Sequence, residues 1–289
     1  MKKPKEAYLD FIRRFSLLIA KNPHLIVTTL SNIFTMRLIG NKTHGDLAEI
    51  GMAEFINQFM YDFRSIHVGK DLFRSKQSEE DIQIINEIDN SAFTVSLKAY
   101  GDGPLQLSTD KSSKMFVMLE RYGSLIEDSE KIVSVMSDPA FDSFSNINVM
   151  PLIYDEKSKR CNIMVFDYER AKNSVTKITR LIEGNGRKHP VYRFTDGQNG
   201  YVCEVRYGGA SANALQRGFW TNTRNASRYF DSLTGGWIGY SLNPIIVKLF
   251  ACALLSTRVG HQVALEKLQE DVDAQKVTST LSGSARDAS

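Results

Sequence analysis

The sequence predicts a mixed α/β fold, a central mixed β-sheet flanked by helices. Three observations lead there. Apolar residues recur at helical spacing near the start. Short strand-like runs separated by turn signals fill the middle. An apolar helical region lies towards the end. Residues 5–21 carry Leu9, Ile12, Phe15 and Ile19 on one helical face, and Pro23 ends the run. A second apolar segment covers Leu25–Ile39. Thr43 or Asp46 can cap a long helix reaching about Asp62.

Short extended pieces follow. Ile82–Ile85 and Phe93–Tyr100 flank the polar turn Asn86–Ser91, Gly101–Pro104 is a turn signal, and Leu105–Ser108 resumes the extended pattern. Ser113–Val135 reads as helical. Val149–Tyr154 and Cys161–Phe166 read as a hairpin, as do Val191–Thr195 and Tyr201–Tyr207. Helices are expected over Glu169–Ile182, over Ser211–Phe230, and over Ile245–Leu268 with a break near Gly260. Residues 1–268 are expected to form a single elaborated domain, and the polar end, 269–289, a disordered tail.

Composition narrows the classes. The 289 residues are 42% hydrophobic and 24% charged, enough apolar content for a sizeable core. Collagen, coiled coil and general disorder are excluded. Lys plus Arg is 36 and Asp plus Glu is 33, a net charge of +3 that neither announces nor excludes a nucleic-acid partner. Cys161, Cys203 and Cys252 are far apart, odd in number and set in apolar surroundings. They read as reduced thiols of a cytoplasmic protein. The most apolar run, Ile245–Leu255, contains Lys248 and falls well short of the about 20 residues a membrane helix needs, so no membrane partner is expected.

The candidate chemistry starts on the helix after Asp46. Met52, Phe55, Ile56, Phe59, Met60 and Phe63 gather on one side, and Glu49 falls inside that sector, while Glu54 falls opposite. An inward carboxylate needs a partner, a proton or a metal. An ordinary ion pair with a nearby Lys or Arg would serve Glu49 equally well. In the strand Phe93–Tyr100, period two puts Phe93, Val95, Leu97 and Ala99 on one face and Thr94, Ser96, Lys98 and Tyr100 on the other. A mid-strand Lys98 beside Ser96, with Asp81 at the start of the preceding strand, suits a metal nuclease. Asp81 would hold Mg²⁺ against a phosphate, and the lysine would orient the attacking water or offset developing charge. A plain edge strand with a polar outer face is the competing reading.

The order of inward Glu49, then Asp81, then Ser96-Leu97-Lys98 resembles the nuclease core of the PD-(D/E)XK superfamily, in particular its type II restriction endonucleases. The likeness covers about residues 44–110. The stretches Ser96–Thr109 and Glu204–Thr221 are also similar in flavour to such enzymes. The resemblance implies a restriction-endonuclease-like core, with catalytic Asp81, Lys98, Glu49 and Ser96, and with Asp81, the Leu97 carbonyl and Glu49 as ligands of Mg²⁺. The chain departs from the pattern twice. Glu80 stands where proline is usual before Asp81, and Ser96 stands where a second acid is usual. Glu49, with Asp102 and Asp110 as substitutes, is the candidate for the missing acid, and the number of metal ions stays open. His44 and His67 lie near in sequence, but such a nuclease needs no histidine base.

A second feature is independent of the first. From Arg206 to Arg228 there are four arginines and no Asp or Glu. On a helix, Asn213, Arg217, Trp220, Arg224 and Arg228 would share one face, with Gln216 beside it. Arg, Asn and Gln are the side chains that read guanine and adenine edges in the major groove, and further arginines suit phosphates. Arg206 and the basic loop with Arg187, Lys188 and His189 extend the candidate recognition region over about 184–232. A solvated basic face is the alternative.

These features together lead to an expectation of Mg²⁺-dependent, sequence-specific hydrolysis of double-stranded DNA by a type II restriction enzyme. A palindromic site would imply a homodimer, although a monomer is also compatible. A cognate DNA methyltransferase is expected genetically, not as a bound partner. The alternatives are a non-catalytic DNA-binding or regulatory protein and a non-specific repair nuclease on the same core.

Overall fold

A computed structural model describes residues 4–39, 44–67, 81–101, 104–107, 114–141, 148–182, 189–206, 218–255, 262–263, 266–271 and 273–274. The fold is mixed α/β, with a central mixed sheet flanked by helices.

Three helices open the chain: α1 (Pro4–Lys21), α2 (Pro23–Ile39) and α3 (His44–Phe59). On α1, Ala7, Tyr8, Phe11, Phe15 and Ile19 are buried, a stripe at the 3.6-residue period. Pro23 stops α1 and starts α2, where its missing N–H is no loss. Along α2 the hydroxyls of Thr29, Ser31 and Thr35 bond the carbonyls four residues back, which hides polar groups inside an apolar helix.

The first sheet has the strand order β1 (Phe63–His67), β2 (Ile82–Asn86), β3 (Ala92–Gly101), β6 (Val149–Asp155), β7 (Arg160–Phe166), β12 (Phe230–Ser232), and β13 (Ile238–Gly239) also pairs with β7. Every pairing is antiparallel except β3 with β6. A parallel pair needs a long crossover. Here the crossover carries β4 (Pro104–Leu107), α4 (Met115–Tyr122), β5 (Leu125–Ile126) and α5 (Ser129–Met136).

The crossover's strands join a second, wholly antiparallel sheet. Its order is β4, β11 (Gly218–Asn222), β10 (Tyr201–Arg206), β9 (Val191–Asp196), β8 (Val175–Leu181), β5. Helix α6 (Tyr168–Ser174) leads into β8, and α7 (Pro244–Leu255) packs on α2.

The two faces of the first sheet serve two cores. Met150 and Leu152 of β6 pack with Phe93, Val95 and Leu97 against the aromatic stripe of α1 and the buried side of α3. Val149 and Ile153 point the other way, towards Tyr192, Phe194 and Phe219 of the second sheet and towards α4, α5 and α6. Cys161 and Cys203 are buried free thiols and Cys252 is half-buried. Burial pushes the Cys161 thiol up to about 12, so it stays protonated at neutral pH.

Two expected helices are interrupted here. The helix expected over 169–182 stops at Ser174, because the β-branched Val175, Thr176, Ile178 and Thr179 favour extended backbone and the segment finds a ladder partner in β9, with an irregularity between Val175 and Lys177. Ser113–Val135 is split into α4 and α5 by Gly123, which adopts φ +96°, a conformation that favours glycine. The hairpins expected at 149–166 and 191–207, and the pair 82–85 with 93–100, form as expected.

The ring of Phe11 is fully buried and meets the rings of Phe15, Phe63 and Phe93. Phe11→Ala should cost about 3–5 kcal/mol in a urea melt. Leu9→Ala, on the exposed side of the same helix, should stay within about 0.5 kcal/mol.

Candidate functional site

The end of β2 creates the site. Ile82 is the first residue of that strand and sits opposite Val95 of β3. Asp81, one residue earlier, still donates its N–H to the Val95 carbonyl at 3.2 Å. Beyond that point β3 runs on without β2 beside it. The Asp81 carboxylate fills the gap: its Oδ2 accepts from the Leu97 N–H at 2.8 Å and from the Ser96 hydroxyl at 3.1 Å. A strand residue sends its N–H and C=O to the same edge, so the Leu97 carbonyl faces the same edge of β3 as the Asp81 carboxylate.

Lys98 completes this group. Its Nζ lies 3.7 Å from the same Asp81 oxygen. Both side chains keep partial contact with solvent, Lys98 at 24% and Asp81 at 16%. Ser96 is buried, and its N–H is held by the Asn148 carbonyl at 2.8 Å. Asn148 in turn donates its side-chain amide to the Thr94 carbonyl at 2.8 Å, which fixes β3 against the entry to β6. Ser96 and Lys98 stand in register with Val149 and Pro151 of β6, on the face that looks towards the second sheet.

Glu49 is buried, as its position on the helical face requires, and it meets His67 at the end of β1: Nε2 to Oε2 is 3.1 Å. His67 is in register with Ile82, whose side chain belongs to the helix-side core. The Glu49–His67 pair therefore lies at the same end of the sheet as Asp81 but is aligned with its helix-facing side. Among the described residues, no group of three or more His, Cys, Asp or Glu that could hold a metal ion is present. The sequence pattern alone does not single out His67 as a site residue. The signal for it was the alternation of β1, where Phe63 and Ser65 are buried and His67 takes the same face. Asn148 left no signal, because its role depends on which strand lies beside β3. Asp102, Asp110 and the side chain of His44 lie outside the described residues.

The helix expected over 211–230 is not formed across its described part. Residues 218–222 are β11, paired with β10 on one side and β4 on the other. Phe-Trp-Thr is a strand-forming run, Phe219 and Thr221 are buried on one face, and the Thr221 hydroxyl bonds the Val202 carbonyl. Trp220, Arg224 and Arg228 therefore share no helical face. Arg224 sits in the turn after β11, with its N–H on the Asn222 side chain. Arg228 is bound to Asp196 at 2.7 Å. Arg206, at the end of β10, pairs with Glu204 and lies over the Trp220 ring. Asn213, Gln216, Arg217 and Lys188 lie outside the described residues.

No family model matches the chain, and no curated protein or solved structure matches it. No described helix is long and apolar enough to cross a membrane.

Asp196 anchors Arg228. Burial pushes its carboxyl up, but the N–H groups of Gly200 and Gln198, the Tyr229 hydroxyl and Arg228 together outweigh burial and hold it below the usual range. A depressed carboxyl stabilises the fold above its unfolded value, and that contribution fades as pH falls through the folded value. Asp196→Asn should be less stable than the parent at pH 7. The gap should shrink once pH drops below about 4, as read from urea midpoints across a pH series.

Proposed function

We propose that the protein is a Mg²⁺-dependent endonuclease acting on double-stranded DNA at a specific sequence, with Asp81, Leu97 and Lys98 as its reactive centre. The observation that carries this reading is the single Asp81 oxygen that gathers the Leu97 N–H, the Ser96 hydroxyl and the Lys98 ammonium at the end of β2. The likeness to type II restriction endonucleases of the PD-(D/E)XK superfamily, in which an Asp from one strand meets an acid-x-Lys on the next, supports it, with Ser96 standing in the acid's place.

The donor set suits a hard cation of modest protein coordination. Mg²⁺ is commonly bound through one or two carboxylates, its remaining positions filled by water and substrate phosphate. Asp81 and the Leu97 carbonyl would hold it, and Glu49, the further acid on α3, would have to leave His67 to join them. Such an ion supplies a bound water of lowered pKa and charge against the phosphate.

The chain's own groups divide the remaining work. Lys98, a point charge on a flexible stem, would orient the water and offset negative charge as the phosphorus–oxygen bond breaks. Ser96 would keep the Asp81 carboxylate turned towards Leu97. Arg206, Arg224 and Arg228, with Asn213, Gln216, Arg217 and Lys188, remain the candidates for contact with phosphates and base edges. A homodimer fits a palindromic target, and a cognate methyltransferase would protect the host's DNA.

Two observations favour a second reading. Ser96 replaces an acid, and Glu49 is engaged by His67, so a non-catalytic DNA-binding protein is the alternative.

Incubation of the purified protein with unmethylated phage DNA, with Mg²⁺ or with EDTA, separates the two. Discrete fragments with Mg²⁺ alone support a specific endonuclease. A smear points to a non-specific nuclease, and intact DNA that is nonetheless bound points to the non-catalytic protein. Lys98→Ala should lower the cleavage rate by on the order of 10²–10³ with the fold intact. Unchanged cleavage by that variant would refute the assigned mechanism.

A further inference from the structure

The outer face of the second sheet carries a polar row. Arg193 of β9 is in register with Glu204 of β10, and Glu204 with Trp220 of β11, so the three side chains lie side by side on one face. Arg206, two residues beyond Glu204, shares that face. The neighbouring residues Tyr192, Phe194, Val205 and Phe219 alternate onto the inner face and belong to the core.

Glu204 is buried and holds both arginines. One carboxylate oxygen accepts from Arg193 at 2.7 and 3.1 Å, and the other accepts from Arg206 at 3.2 Å. Two guanidinium groups against one carboxylate leave an excess positive charge. The clamp fixes Arg206 over the Trp220 ring, with the guanidinium carbon 3.5 Å from the ring centroid. That is closer than most cation–π contacts, which extend to about 6 Å.

Two donors in this stack lack acceptors. The Arg206 Nε–H and the Trp220 indole N–H are both buried and make no hydrogen bond. An unmatched buried donor is uncommon enough to need a reason. The Arg206 side chain stays 34% exposed and the Arg193 side chain 35%. A flat cation, held by a carboxylate and backed by an indole, offers a plane on which an aromatic ring can stack, with a second cation beside it for an anion. A nucleotide has both parts. A phosphate alone would use the charge and ignore the plane.

We infer that the Arg206–Trp220 stack is a binding platform for an unpaired nucleotide of single-stranded DNA, its base lying on the guanidinium plane and its phosphate on Arg193. Stacking on arginine and aromatic side chains is how unpaired bases are commonly held. The inference rests on the preceding reading only for the kind of polymer. It adds a site for a strand that is not in the duplex.

The test uses the full chain with Trp237→Phe, which leaves Trp220 as the sole tryptophan of the two in the sequence. Short oligothymidylate is titrated in EDTA while indole fluorescence is recorded, with inorganic polyphosphate as a charge-matched probe. Saturable quenching by oligothymidylate and not by polyphosphate is expected. Arg206→Lys, which keeps the charge but loses the plane, should weaken binding about 10-fold.

Equal quenching by polyphosphate, no quenching at all, or unchanged affinity in a folded Arg206→Lys protein would overturn the inference. If Arg206→Lys fails to fold by circular dichroism, the comparison of the two probes on the Trp237→Phe protein decides alone. Plasmid cleavage by the parent protein with Mg²⁺ keeps the two readings apart. Cleavage without oligothymidylate quenching sinks the platform and spares the nuclease. Selective quenching without cleavage does the reverse.

Discussion

The parallel pairing of β3 with β6 is the constraint on which the other arrangements depend. Antiparallel neighbours can be joined by a tight turn, but parallel ones cannot. The chain must leave the far end of β3 and return to the near end of β6. It uses that journey to lay β4 and β5 at the two edges of a second sheet and to place α4 and α5. The same pairing puts Ser96 and Lys98 beside Val149 and Pro151, and so decides which face of β3 looks towards the second sheet. Asn148, at the entry to β6, closes the register from both sides by bonding Thr94 and Ser96.

At the other edge of β3 a missing neighbour matters as much as a present one. Among the described residues the ladder with β2 stops at Ile82, and a strand edge beyond its neighbour's end must be satisfied in some other way. Asp81 does so with its side chain. A carboxylate that substitutes for a backbone carbonyl is held rigidly, close to a lysine and partly open to solvent. Structural necessity and candidate chemistry therefore meet in one residue. The buried Glu49 finds its partner in His67, at the same end of the sheet but aligned with the helix-facing side.

The basic stretch after Arg206 illustrates how tertiary pairing overrides a local pattern. Its spacing of Arg, Asn and Trp has a helical period, but Phe219 and Thr221 also alternate, and two strands stand ready to accept their backbone. Once β11 forms, the described arginines disperse. Arg228 goes to Asp196, and Arg206 goes to Glu204 and Trp220. The acid-free run is thus not acid-free in space, because Glu204 stands just before it on β10 and Asp196 comes from β9.

By itself the sequence determined the mixed α/β class, the amphipathic α1, the central hairpins and the association of Asp81 with Ser96 and Lys98. Each follows from a period or a turn within about ten to twenty residues, a range over which side-chain direction is set by local backbone geometry. The inward position of Glu49 was legible for the same reason. Its partner His67, the second sheet, the strand at 175–181 and the fate of the arginines were decided by tertiary structure alone. Those outcomes depend on which strand lies beside which, and a strand's preference is a preference for its neighbours more than a property of its own residues.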